Sequence, residues 1–331
     1  MLNTEVASIM KEDGKIYKTA EKSMYNLALS SEEKEIASTL DAWAKDIGNR
    51  GVDANNEIAS LVTKTVQTEL YNAPDELLDE LFDRGSVGEF DDAEVMATPK
   101  NTLIAYDAAK GGNVDRSWID VKFLAPVWKN KQIETDIRYV ELRRNGFKSI
   151  STLITYATEA LKNALFADVF AGVDAAITGG DQVFAVTGGV PTIEAMDKLT
   201  NYLSDWSTGT TNVVALSKYI QAIGRMPGFY QYLSTDMKDE INRYGRLGTY
   251  GGAVLSAIPT AKKMADGSLA IPDKRIFGVA GKIGTLDMKG EVHTYETMDN
   301  NSEMVHLSIK DFTYGYAITN IENVAKITLS E

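Results

Sequence analysis

The sequence predicts an α+β protein, helical in its first half and strand-rich in its last third, and three observations carry that reading. Apolar residues recur at helical spacing through residues 1 to 85, one unbroken helical pattern fills residues 149 to 178, and five β-rich segments broken by Gly, Asn and Asp follow residue 274. With 331 residues, 44% hydrophobic and 24% charged, the chain has the length for two or three packed layers and the composition of an ordinary globular protein. No internal repeat, low-complexity tract or linker-like composition shift divides it.

The first helix of the arm lies in SSEEKEIASTLDAWAKDIGNRG. Ser30 and Glu33 have capping-box spacing, Ile36, Leu40, Trp43 and Ile47 recur on one face, and Gly48 and Gly51 are expected to stop it. NNEIASLVTKTVQTELYN repeats the pattern with Ile58, Leu61, Val62 and Val66, and NAPDELLDELFD places Pro74 in a favourable first turn. Stripes this narrow suit docking onto a partner surface better than forming a core of their own.

From about 86 to 142 the period changes. NTLIAYDAA and WIDVKFLAPVW are aromatic and β-branched runs parted by KGGNVDRS, and QIETDIRYVELR alternates, so an extended two-stranded excursion is expected. The acidic stretch 75 to 94 lacks the ligand spacing of a calcium loop and reads as a solvated face. In the long helix, Ile150, Leu153, Ile154, Ala157, Leu161, Ala164, Leu165, Val169, Val173 and Ile177 keep helical spacing until Gly179 and Gly180. At 1.5 Å per residue it spans about 45 Å. TIEAMDKLTNYLSDW is a further helix, NVVALS a strand, and 218 to 225 a short helix. INRYGRLGTYGGAVLSAIPT then spaces four glycines before the strand AVLSAI.

The chemistry the sequence excludes is as informative. A net charge of −13 argues against a binder that neutralises many phosphates, and the lack of cysteine removes disulfides, thiolate metal sites and thiol catalysis. The N-terminus mixes charges of both signs, unlike an export signal, and no apolar run approaches the ~18 residues of a membrane span. The glycines at 245, 248, 251 and 252 have the wrong spacing for a dinucleotide fingerprint, and in GVAGKIG Ile283 stands where a phosphate loop needs a hydroxyl after Lys282. His293 and His306 sit in strand patterns without zinc spacing, and no G-x-S-x-G elbow exists. Ser8 with Lys11 and Ser31 with Lys34 are S-x-x-K matches that lack their companion motifs. No catalytic, cofactor-binding or metal residue is expected. Arg138, Arg143, Arg144 and Lys148 concentrate positive charge in an acidic chain. They form either a solvated edge or an intersubunit patch that meets an acidic segment such as 75 to 94 on a neighbour.

The order of these parts resembles the major capsid proteins of tailed bacteriophages, whose Hong Kong 97-type fold is shared with encapsulins. The resemblance is carried by VELRRNGFKSISTLITYATEALKNALFADVFAGVDAAITGG, by NVVALSKYIQAIGRM with GRLGTYGGAVLSAIPTA, and by KRIFGVAGKIGTLDM with DFTYGYAITNIENVAKITL. It implies an N-terminal arm over 1–75, an extended loop and lead-in strands over 76–135, and a peripheral domain with its spine helix over 136–195. An axial domain over 196–305 and closing strands of the peripheral domain over 306–331 complete it. It further implies a structural, non-catalytic subunit that assembles as hexamers and pentamers into an icosahedral shell around double-stranded DNA. The partners implied are other copies of the chain, with scaffolding, portal and decoration proteins. The DNA would be enclosed without sequence-specific binding, no membrane would be involved, and the virion capsid would be assembled in the host cytoplasm. Gly245, Gly248, Gly251 and Gly252 would be an axial-domain hinge for bending the chain rather than holding a ligand. No residue is carried over for the isopeptide cross-links of some members. An encapsulin-like cargo shell and a soluble α/β enzyme with an unrecognised site are the rival readings. On the shell reading, both arm and loop leave apolar faces for sister copies to cover.

Overall fold

The computed structural model describes residues 4–9, 14–54, 56–72, 76–97, 99, 102–107, 110, 115–119, 121–206, 210–229, 231, 233–259, 263 and 267–330. Pro74, Lys11, Gly111 and Gly112, each part of an expectation from the sequence, lie outside them.

The chain begins with helices α1 (Thr4–Ile9), α2 (Lys15–Met24), α3 (Ser31–Arg50), α4 (Glu57–Gln67) and α5 (Glu76–Leu81). The capping box of α3 forms as expected: Glu33 N donates to Ser30 Oγ at 3.2 Å and Ser30 N to Glu33 Oε2 at 2.7 Å. Strand β1 (Phe82–Val87) follows, then a long loop with two short strands, β2 (Val95–Met96) and β3 (Phe123–Leu124). Strand β4 (Val127–Arg138) leads through α6 (Tyr139–Asn145) into α7 (Phe147–Ala176), the 30-residue helix that the sequence placed at 149 to 178. Gly146, at φ +53°, makes the corner between α6 and α7, and any Cβ there would collide with Asp41 of α3. Asp41 uses that closeness, because its Oδ1 accepts from Phe147 N at 3.2 Å and so satisfies an orphan donor at the start of α7.

The helical arm does not wait for a partner surface. Helices α2, α3 and α4 pack on α7, and α3 also packs on α6. Ile36, Leu40, Trp43, Ile47, Ile58, Leu61, Val62 and Val66 are all buried in the chain's single hydrophobic core. The expectation that these stripes suit a partner surface better than a core is corrected here: they are covered within the chain by α7, by α6 and, for α4, by β11. Gly48 is corrected as well. It lies inside α3, where an added Cβ would stand 3.0 Å from Arg143 N and Leu142 Cβ, so it permits α3 and α6 to touch instead of ending the helix. Gly51, at φ +58°, is the C-cap.

Beyond α7 come β5 (Val183–Thr187), α8 (Ile193–Trp206), β6 (Thr211–Leu216), α9 (Ser217–Ile223) and α10 (Thr235–Tyr244). Strands β7 (Thr249–Tyr250), β8 (Ala253–Ile258), β9 (Arg275–Ala280), β10 (Gly284–Lys289), β11 (His293–Asp299), β12 (Met304–Ile318) and β13 (Val324–Ser330) complete the chain. Two sheets result. In the first, β4 pairs along one side of β12, while β10 and β11 share its other side and β1 adds parallel to β10. In the second, the order is β5-β13-β9-β6-β8-β7.

The strands grouped at 306–331 as one closing set are therefore divided, with β12 in the first sheet and β13 in the second. Strands β10 and β11, grouped with the axial residues 196–305, belong to the first sheet beside β12. The chain leaves the second sheet after β9, turns at Gly281 (φ +70°), and returns through the 3-10 turn Ile321–Asn323. Alternation reveals a strand but not which sheet receives it.

Helix α7 joins the two layers through two carboxylates. Asp168 accepts from Tyr314 Oη of β12 at 2.7 Å and pairs with Lys131 of β4 at 2.8 Å. Asp174 pairs with Lys326 of β13 at 2.8 Å and Arg275 of β9 at 3.3 Å. A rod packed against one sheet and tied to another keeps both at a fixed spacing.

Candidate intersubunit surface

The loop between β1 and β4 is the part of the molecule that its own body leaves uncovered. Phe90 is 92% exposed, Trp118 76%, Phe123 63% and Ile104 61%, and half of the large apolar side chains exposed among the described residues fall in this loop or at its return. Among its described residues the one sheet ladder pairs Val95 with Leu124 and Met96 with Phe123. Farther out, Thr102 Oγ1 donates to Trp118 O at 2.6 Å, and Ile104 N donates to Ser117 Oγ at 3.4 Å. The two-stranded excursion is thus a ladder at its root, and NTLIAYDAA and most of WIDVKFLAPVW are not strands in the residues described. An apolar surface this extensive on one limb marks an interaction site.

Charge flanks the limb. The acidic stretch before it is partly consumed within the chain: Asp79 pairs with Arg84, Asp83 with Lys282, and Glu80 accepts from Asn212 Nδ2. Glu89, Asp91, Asp92 and Glu94 remain exposed at the root of the loop. Of the basic quartet, Arg143 reaches Glu303 at 3.2 Å and Lys148 donates to Asn26 Oδ1 at 2.9 Å, while Arg138 and Arg144 are exposed. The four share the turn from β4 through α6 into α7, so the structure does gather them.

The glycine stretch is a set of turns. Gly245, at φ +72°, is the left-handed C-cap of α10, and its N–H returns to Ile241 O at 2.8 Å. Gly251 and Gly252, at φ +56° and +87°, form the two-residue hairpin between β7 and β8, where both central positions need positive φ. Gly248 N donates to Glu240 Oε1 at 3.0 Å. The N-terminal side of this stretch, α10, was not anticipated. Its signal was Ser234, whose side chain caps Met237 N ahead of a helix that ends at a glycine.

The groups available for chemistry do not converge. His306 Nδ1 lies 2.6 Å from Asp136 Oδ1 across the β12–β4 pair, and the Ser308 hydroxyl two residues on donates to Glu134 Oε1 at 3.4 Å. His293 is exposed on β11. An open groove of about 520 Å³ between β4 and α7 has Ile133, Leu153 and Tyr156 on its walls and Glu134, Asp136 and Glu141 along it. Among the described residues no His, Asp or Glu cluster could hold a metal ion, and no helix is long and apolar enough to cross a membrane.

Sequence reasoning missed a second long-range cap. Glu296 of β11 is buried at the start of α4, where its Oε2 accepts from Ala59 N at 2.8 Å. Burial pushes its carboxyl up to about 7, with the backbone donors of α4 working in the opposite direction. Beside it, Glu57 is engaged by Arg50 and Trp43. Neither cap has a local motif, because each donor and acceptor are more than 100 residues apart in the chain.

Comparison with known proteins agrees with this architecture. Solved structures similar to the chain include one titled "Gordonia phage Cozz" (TM-score 0.56, 12% identity, covering 76% of this chain and 85% of that one). "Mycobacterium phage Ogopogo" matches with TM-score 0.56 and 12% identity over 77% and 92% of the two chains. The bacteriophage PhiM1 mature capsid matches with TM-score 0.55 and 11% identity over 75% and 86%. At such identities the likeness shows the fold alone, which is the Hong Kong 97-type fold. No curated protein matches the sequence. The family model described as "SPbeta prophage-derived putative capsid protein YonB" matches residues 2–323, and over that near-complete span the chain belongs to this family of prophage capsid proteins.

Proposed function

We propose that this capsid protein assembles as hexamers and pentamers into an icosahedral shell enclosing double-stranded DNA. In that shell the loop between β1 and β4 lies across a neighbouring copy. The exposed apolar loop on an otherwise well-packed body is the observation that carries the reading. A contact of standard size, ~1,600 Å², is a large gross gain at about 25 cal/mol per Å² before association costs, and symmetry repeats it.

On this reading α7 with the first sheet is the peripheral domain and α8 to α10 with the second sheet is the axial domain. The hairpin at Gly251 and Gly252 lies near the axes where copies converge. Arg138, Arg143, Arg144 and Lys148 face the exposed acids at the root of a neighbour's loop, so assembly weakens as salt rises. The net charge of −13 suits a container whose wall does not grip its genome. Scaffolding, portal and decoration proteins are its further partners, and assembly takes place in the host cytoplasm. Negative-stain microscopy of the purified protein is expected to show closed shells or five- and six-membered rings. Small monodisperse oligomers under every assembly condition would overturn the proposal.

A further inference from the structure

The second sheet ends at β5, and among the described residues no strand lies on the side of β5 turned away from β13. Along that side runs a groove of about 380 Å³. All five residues of β5 form one wall, and Thr192, Glu194, Ala195 and Lys198 form the other. A strand edge facing a helix is the geometry in which an extended peptide adds to a sheet, with main-chain groups making the ladder and the helix flanking the side chains. Natural edges are usually protected by proline, charge or a bulge. Val183–Thr187 contains no proline and no charged residue, and its pairing with β13 is regular throughout.

A segment of matching character lies in the exposed loop. Residues 102–107, TLIAYD, are exposed throughout and belong to no strand, and their contacts with the rest of the loop include two made through side-chain hydroxyls. We propose that residues 102–107 of a second copy add to β5 as a seventh strand of the second sheet. This rests on the reading of the chain as a shell subunit and names the surface that receives its loop.

Length and pattern support the pairing. Six extended residues span about 20 Å and the five of β5 about 17 Å. Alternation puts Thr102, Ile104 and Tyr106 on one face and Leu103, Ala105 and Asp107 on the other. On β5, Phe184 and Val186 face α8: the Phe184 ring lies 6.5 Å from that of Tyr202, and Val186 is buried. Ile104 and Tyr106 on that side extend the apolar layer along α8, with Leu103 and Ala105 beside the exposed Ala185. Glu194 and Lys198 pair with each other at 2.6 Å on the α8 rim, while Asp107, the single charge of the segment, falls on the opposite face and stays in solvent, so no charge of the segment is buried against the helix. One six-residue strand buries far less than a standard ~1,600 Å² interface, so the contact holds only when repeated around a closed assembly.

The chain has no cysteine, which makes a disulfide between two introduced residues unambiguous. Ala185→Cys chains are co-assembled with chains carrying Leu103→Cys, Ala105→Cys or Asp107→Cys, oxidised with diamide, and resolved on a non-reducing gel. Bridging requires Cα atoms within about 7 Å, so at least one of the three should give about tenfold more mixed dimer than a Val254→Cys control. Particles that form without a bridge at any of the three positions would overturn strand addition and leave the shell reading standing. No particles at all would remove both. If a chain carrying both Ala185→Cys and Ala105→Cys bridged only within itself, the occupant would be the chain's own loop and the second copy would be excluded. Slow amide exchange at 183–187 in bridge-free particles would assign the edge to another segment, again against the proposal.

Discussion

The helices α2 to α4 and the loop between β1 and β4 carry comparable apolar side chains, yet Leu40, Ile47 and Leu61 are fully buried while Trp118 and Phe123 stand in solvent. Hydrophobicity alone does not separate them; periodicity does. A 3.6-residue period gathers apolar groups on one stripe, and α7 with α6 offers a single surface wide enough to cover it. In the loop the apolar residues have no such period, and among its described residues only Val95–Met96 and Phe123–Leu124 form strand. No one surface of the same body covers side chains that share no face; on the proposed reading, other copies supply the cover. Of two limbs expected to depend on neighbours, the arm is covered by its own chain and the loop stays exposed.

The contrast predicts opposite phenotypes for two alanine substitutions. Leu40→Ala should cost the subunit about 3 kcal/mol by emptying a site packed against α7, seen as a lower unfolding midpoint in urea. Trp118→Ala should change that midpoint by less than about 0.5 kcal/mol, because nothing is lost from the folded monomer, while sharply reducing the yield of particles. If Trp118→Ala unfolded the subunit, or Leu40→Ala left it intact but unable to assemble, the assignments of the two limbs would have to be exchanged.

How the arm is fastened was largely invisible in the sequence. The capping box at Ser30, the run of α7 and the strands from β9 to β13 were legible because each is written in adjacent residues. Strand β1, FDRGSV, was not, since Asp83, Arg84, Gly85 and Ser86 show neither alternation nor β-branching. It is a strand because β10 offers it a parallel edge. Gly48 reads as a stop until the approach of α6 is known. The basic quartet was legible as residues, but not the partners that Arg143 and Lys148 already have in the same chain. Asp41 and Glu296 have no local signature as caps, being defined only by the helices they end upon.

Glu296 gives the fastening of the arm a pH dependence. Its carboxyl is raised from 4.5 to about 7 in the folded chain, so folding favours its protonated form. That contribution is complete below pH 4.5 and is lost as pH rises through 7. Glu57, whose charge acts on Glu296, is already paired with Arg50, and Asp299 lies on the same strand. Glu296→Gln keeps an acceptor for Ala59 N without the charge. The variant should be more stable than the parent by about 1–2 kcal/mol at pH 8 and equal to it near pH 4.5. Thermal melts at the two pH values measure this; a variant less stable at pH 8 would mean that the charge itself holds α4 in place. Gly48→Ala tests the same seat from the other side. Its better helix propensity is opposed by contacts of 3.0 Å with the α6 backbone, and a net loss of about 1 kcal/mol is expected in the same melts.

The smallest effect on the subunit should come from the basic quartet, and it decides whether those residues behave like the arm or like the loop. Arg143 and Lys148 have exposed partners within the chain, and exposed pairs are worth about 0.2–1 kcal/mol, so neither contact can be what fixes the fold. Arg138 and Arg144 are better placed to act between copies. Arg144→Glu should leave the melting of the subunit within about 0.5 kcal/mol of the parent, yet move the onset of assembly and flatten its dependence on salt, because an attraction has been replaced by a repulsion. Light scattering at increasing salt reads both. An unchanged salt profile for Arg144→Glu and Arg138→Glu alike would return the quartet to a solvated edge and leave the loop as the one surface held in reserve for neighbours.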